Sequence, residues 1–134
     1  MTLSAWFKAL ALWFAILVLA ILNGAFRESV LVPALGGFAG LVISGLLLCA
    51  CIFLVAFVAV PLFAPSGPRR YLAIGVFWLL LTLSFEFGFG RYVQQKSWTE
   101  QLEAYTFAGG NLWPAVLLVT LLAPWLAARL RRLV

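Results

Sequence analysis

The chain has 134 residues, of which 66% are hydrophobic and only 10% charged, with a mean hydropathy of +1.13, and this excludes a water-soluble domain with a polar surface. A membrane span takes about 20 apolar residues, so four spans use roughly 80 positions and leave about 50 for ends and connections, too few for a second domain. The net charge of +5 would hint at nucleic acid on a soluble protein, but in a membrane chain it reports orientation, and no nucleic-acid partner is expected.

The first apolar run, residues 5–26, carries Lys8 near its start and ends in Asn23-Gly24, with Arg27-Glu28 just beyond. A cation before the run and small residues after it also fit a secretory leader. The run of about 20 residues exceeds the apolar core of an ordinary leader, so a retained span is expected. The second run, residues 34–62, follows Pro33, a residue suited to the first turn of a helix, and reaches Pro61. Gly36, Gly40 and Ser44 recur at every fourth position and predict a smooth strip for close helix packing, within the chain or against a second copy. Cys49 and Cys51 fall inside this run; on a helix they project about 200° apart and cannot pair, so they are expected to act as small buried hydrophobes.

Pro61, Pro65, Ser66-Gly67 and Pro68 break the chain ahead of Arg69-Arg70. The third span, residues 71–90, holds Glu86 about one turn inside its end, within Ser84-Phe85-Glu86-Phe87-Gly88. Beyond Arg91, the one long connection contains Ser97-Trp98-Thr99-Glu100, which fits a capping box, followed by Leu102 and Tyr105 at helical spacing. That pattern predicts a short amphipathic helix on the outer membrane surface, between the third and fourth spans. Gly109-Gly110 ends the connection, Asn111 is placed to cap the fourth span, residues 111–128, and Pro124 within it deprives the Thr120 carbonyl of its helical partner. A kink there is expected, with the Thr120 hydroxyl or a neighbouring helix compensating. The expected fold is therefore all-α, a single domain built as a bundle of four transmembrane helices in the lipid bilayer.

With four spans, both termini share a side. That side collects Lys8, Arg69, Arg70, Arg129, Arg131 and Arg132 and no carboxylate, whereas the opposite side collects Arg27, Arg91 and Lys96 with all four glutamates. The positive-inside rule then predicts cytoplasmic termini.

The chain contains no His and no Asp, which removes the usual parts of triads, metal centres and two-carboxylate hydrolases. No metal and no cofactor is expected. The serines have no imidazole to activate them, and no lysine stands at a spacing that suggests a dyad. One polar cluster remains, on the outer side: Asn23, Arg27, Glu28, Glu86, Arg91 and Asn111. Asn23 and Arg27 share a helix face, while Glu28 lies about 100° round from Arg27 and can face another neighbour. A lone carboxylate in hydrocarbon costs on the order of 3 kcal/mol, so Glu86 calls for a cation, a polar partner or water, and Arg27 and Arg91 lie at similar depth. Either an ion pair ties the first helix to the third, or Glu86 binds a proton or a cationic substrate in an outward-open cavity.

The segments Leu22-Asn23-Gly24-Ala25-Phe26-Arg27-Glu28, Phe85-Glu86-Phe87-Gly88 and Gly110-Asn111-Leu112-Trp113-Pro114 resemble a group of small four-span bacterial inner-membrane proteins, over nearly the whole length. The resemblance implies a bacterial plasma membrane and carries no catalytic residue. Small multidrug-resistance transporters fit less well, because their essential Glu lies in the first span. Quinone-linked disulfide enzymes need outward cysteine pairs, which Cys49 and Cys51 do not provide. The leading expectation is a non-enzymatic accessory or partner-binding subunit, docking another membrane protein or a second copy through its packing strip or polar cap. The alternative is a small oligomeric transporter or channel using Glu86, with a lipid-modifying enzyme third.

Overall fold

The computed structural model describes residues 3–63, 67–92 and 112–132. Among the described residues every regular element is helical. Helix α1 (Leu3–Phe26) continues through a π-helical segment, Arg27–Leu31, into the single turn of α2 (Val32–Leu35). Helix α3 (Gly37–Ala59) ends in a 3-10 turn, Val60–Phe63, and is followed by α4 (Pro68–Tyr92) and α5 (Trp113–Leu130). Four stretches are long and apolar enough to cross a membrane: Leu3–Leu35 with 33 residues, Gly37–Phe63 with 27, Pro68–Phe89 with 22 and Trp113–Leu130 with 18.

The chain does not break between Phe26 and Pro33, where the apolar runs divide. Pro33 does stand in the first turn of a helix, but that helix is the one-turn extension of α1. Pro33 has no N–H to offer Ser29, and its ring crowds that carbonyl, so the ladder loosens: Val32 donates to the Arg27 carbonyl five residues back. The reversal comes instead at Gly36, whose φ of 89° and ψ of 166° lie in a region that only glycine occupies at low cost. Gly36 is thus the corner of a helical hairpin and not a member of the packing strip. Its neighbour on that strip, Gly40, takes the return contact: a Cβ there would come 2.9 Å from Val32 Cγ2.

At the opposite end of the bundle, Gly67 accepts the Arg70 N–H at 3.1 Å, so α4 starts three residues before Tyr71, with Arg69 and Arg70 in its first turn. Tyr71 is fully buried and donates its hydroxyl to the Val60 carbonyl at 3.4 Å. Arg131 donates to the Phe57 carbonyl at 2.7 Å and lies over the Phe57 ring. These contacts gather the start of α4 and the end of α5 around the Phe63 end of α3.

Leu112, not Asn111, occupies the N-cap position of α5, with Pro114 in its first turn and the Val116 N–H on the Leu112 carbonyl. The helix runs on through Pro124 to Leu130. The Thr120 hydroxyl does not stand in for the lost bond at its own carbonyl; it donates to Val116 O at 2.8 Å, one turn earlier. The expected amphipathic helix of residues 97–105 lies outside the described residues.

The core forms where all four long helices meet. Ala9, Trp13 and Ile16 of α1 face Ile52 and Ala56 of α3, Ile74 and Trp78 of α4, and Ala123 and Ala127 of α5. Leucines and phenylalanines such as Phe14, Phe38, Leu54, Leu80 and Leu118 are exposed around the outside, as the lipid-facing positions of a bundle are. Both cysteines are free thiols and are partly exposed, where burial was expected.

Candidate functional site

Helices α4 and α5 meet backbone to backbone, because a Cβ on Gly75 would fall on the Leu121 carbonyl oxygen. Helix α1 meets α4 differently, through large rings. Trp78 Nε1 donates to the Ala9 carbonyl at 2.9 Å and Trp13 Nε1 to the Thr82 hydroxyl at 3.0 Å. The ring pairs Trp6–Phe77 and Trp13–Phe85 have centroids 5.0 and 6.3 Å apart. Rings of this size hold the α1 and α4 axes apart. Toward the Gly36 end, beyond Trp13, the space between them is left open.

That space is a cavity of about 480 Å³, within the usual range for a small-molecule site. Helix α1 contributes Trp13, Ile16, Ala20, Asn23, Gly24 and Arg27, a single stripe at helical spacing. Thr82, Phe85, Glu86 and Phe89 of α4 face it, Ser44, Leu48 and Ile52 of α3 form a side wall, and Val116 and Thr120 of α5 lie deep. Gly45 is backed by Leu112, whose Cβ is 2.7 Å from where a Gly45 Cβ would stand.

Four polar side chains of the wall, Asn23, Ser44, Thr82 and Thr120, bond to one another or to backbone carbonyls. Ser44 Oγ donates to Asn23 Oδ1 at 2.5 Å, and Asn23 Nδ2 donates back to the Ser44 carbonyl at 3.1 Å. The Thr82 hydroxyl accepts from Trp13 and donates to the Trp78 carbonyl at 2.8 Å. Thr120 is committed to Val116. Each satisfies its donor locally, the requirement for a polar group at membrane depth.

The rim is where charge appears. Arg27 and Glu86 both line the cavity, so the structure brings Asn23, Arg27 and Glu86 of the expected cluster together. Arg27 Nε donates to Glu28 Oε1 at 3.0 Å, the neighbour expected to face elsewhere. Adjacent positions project about 100° apart, and the long Arg side chain spans that angle. Its Nη2 lies 3.7 Å from where a Gly24 Cβ would be, an ordinary contact distance, so the guanidinium rests along the surface of its own helix. Glu86 is half-buried and is itself engaged in an interaction. Arg91 stands on the last turn of α4, its side chain outside what the structure describes, and Asn111 also lies outside the described residues.

The packing strip is used inside the chain, Gly40 against Val32 and Ser44 against Asn23. Among the described residues no group of three or more His, Cys, Asp or Glu is placed to hold a metal. Sequence reasoning missed Gly75 and the cavity-facing stripe of α1; the spacing of Trp13, Ile16, Ala20, Asn23 and Arg27 was the available signal for the latter. Comparison with protein-family models, with curated proteins and with solved structures finds no match to this chain.

Proposed function

We propose that this chain is a non-enzymatic integral protein of a bacterial plasma membrane, with both termini in the cytoplasm, that holds a ligand in the cavity between α1 and α4. It acts as a binding subunit or small carrier, with Arg27 and Glu86 at the outward mouth. The observation that carries this reading is the cavity itself, which runs from Arg27 and Glu86 down to Trp13, Ile52 and Thr120. A bundle built only to be a docking partner has no need of such a space, since voids in a core cost stability. The intrachain use of Gly40 and Ser44 also leaves less of the smooth strip for a second copy. The sorting of charge supports the orientation: Arg69, Arg70, Arg129 and Arg131 are exposed on the elements around the Phe63 end, while Glu28 and Glu86 belong to the other.

Extraction in a mild detergent followed by native mass spectrometry tests the reading. The protein should carry a non-peptide mass in a fixed ratio. That mass should disappear in Ala20→Phe, which fills the cavity, and persist in Ala11→Phe, on an exposed position of the same helix. No retained mass, or the same mass in both variants, overturns it. A reporter fused after Val134 that is active only outside the cytoplasm overturns the orientation.

A further inference from the structure

We infer that the occupant of the cavity is a single-chain amphiphile taken from the surrounding bilayer, its apolar tail inserted toward Trp13 and Ile52 and its polar head left at the rim beside Arg27 and Glu86. The inference rests on the ligand-holding reading above and names the class of ligand.

Three observations lead to it. First, the hydroxyls that reach the deep wall, Ser44, Thr82 and Thr120, all donate to protein acceptors. A small hydrophilic solute or a bare ion entering there would shed water and find those donors already committed, at a cost of about 1–3 kcal/mol for each polar group left unmatched. An apolar chain has no such requirement and meets Ile16, Leu48, Ile52 and Val116.

Second, the charged groups are confined to one end. Arg27, paired with Glu28, and Glu86 stand at the rim and leave the floor without an ionisable side chain. A ligand polar at one end and apolar along its length matches that gradient. The rim carries both signs, and because Arg27 and Glu86 already have partners the head stays at the wet mouth and is not gripped by either charge.

Third, the cavity reaches the membrane-facing surface between α1 and α4. Ile21 of α1 and Phe89 of α4 line it and are nevertheless 58% and 40% exposed, so they mark the edges of a side opening. The hydrogen bonds and ring contacts joining the two helices run from Trp6–Phe77 to Trp13–Phe85, below that opening. A chain already in the bilayer can slide in between Ile21 and Phe89 without crossing water. The volume of about 480 Å³ leaves room for a long apolar chain.

The test uses the full chain in nanodiscs with lysophosphatidylcholine bearing a diazirine midway along its tail, and peptide mapping after illumination. Adducts are expected on Ile16, Leu48, Ile52 or Val116, reduced about tenfold in Ala20→Phe and unchanged in Ala11→Phe. Unlabelled lysophosphatidylcholine should compete, and glycerophosphocholine, the same head without a tail, should not. Adducts confined to lipid-facing Leu46, Leu54 and Leu118 overturn the inference, as does equal competition by glycerophosphocholine. A diazirine-bearing choline separates the two levels. If it labels the cavity where the tailed probe does not, a ligand site stands and the amphiphile falls. If neither probe labels the cavity, both fall.

Discussion

Two seams of the same bundle are built on opposite principles. Between α4 and α5 the backbones touch at Gly75 and Leu121, and the flanking buried residues Ala123, Ala127 and Ala128 are small. Between α1 and α4 the contact is made by Trp6, Trp13, Phe77, Trp78 and Phe85, whose rings act as spacers. Small residues let membrane helices close on one another by van der Waals contact. Large ones fix a distance, and beyond Trp13, where α1 presents Ile16, Ala20 and Asn23 in place of a ring, the distance remains as a cavity. The difference teaches that the cavity is a consequence of where the inward-facing rings of α1 stop.

The sharpest way to break this comparison is to add one carbon to the tight seam and a whole ring to the open one. Gly75→Ala should be the most destabilising change, at about 3 kcal/mol or more, because the new methyl meets a backbone carbonyl that cannot rotate away. Ala20→Phe, at the cavity wall, should alter stability by no more than about 1 kcal/mol, the ring filling vacant space. Denaturant titration in mild detergent reads both. A larger loss for Ala20→Phe than for Gly75→Ala would show that the vacancy belongs to the other seam.

The spacers come next. Trp78→Phe removes the Nε1 bond to the Ala9 carbonyl and part of a fully buried ring, and about 2 kcal/mol of destabilisation is expected in the same titration. Ser44→Ala should cost less, about 1 kcal/mol, since Asn23 keeps its bond to the Ser44 carbonyl and loses only the hydroxyl. A Ser44 effect exceeding that of Trp78 would shift the anchoring of α1 from α4 to α3.

Much of the architecture is legible in the sequence. Four apolar runs predict four long helices, and the structure has them, because hydropathy over about 20 residues is a signal that packing rarely overrides. The corner between the first two was misplaced. Arg27, Glu28, Ser29 and Pro33 read as a loop by composition, yet the chain stays helical through them by loosening into a π turn, and Gly36, which looked like packing, is the corner. Glycine at helical spacing has one signature for two roles, and only φ separates them. The polar cluster was partly legible: Asn23, Arg27 and Glu86 do converge on one cavity. Their pairing was not, because Arg27 bonds to Glu28, the adjacent residue that helical geometry turns about 100° away, and no local pattern encodes that choice.

That choice supplies the smallest predicted effect. Arg27 and Glu28 are 32% and 67% exposed, so their pair should contribute no more than about 0.5 kcal/mol and weaken further in salt. Glu28→Gln should therefore leave the unfolding midpoint nearly unchanged. Charge exchange distinguishes the two arrangements by how much is recovered. Arg27→Glu with Glu28→Arg keeps the pair on one helix and should restore stability close to that of the parent chain. Arg27→Glu with Glu86→Arg should recover less, because the bond that Arg27 makes is to Glu28 on its own helix. A clear recovery in that second exchange would mean that the rim closes, and a rim sealed by an ion pair between α1 and α4 would leave the cavity without its mouth.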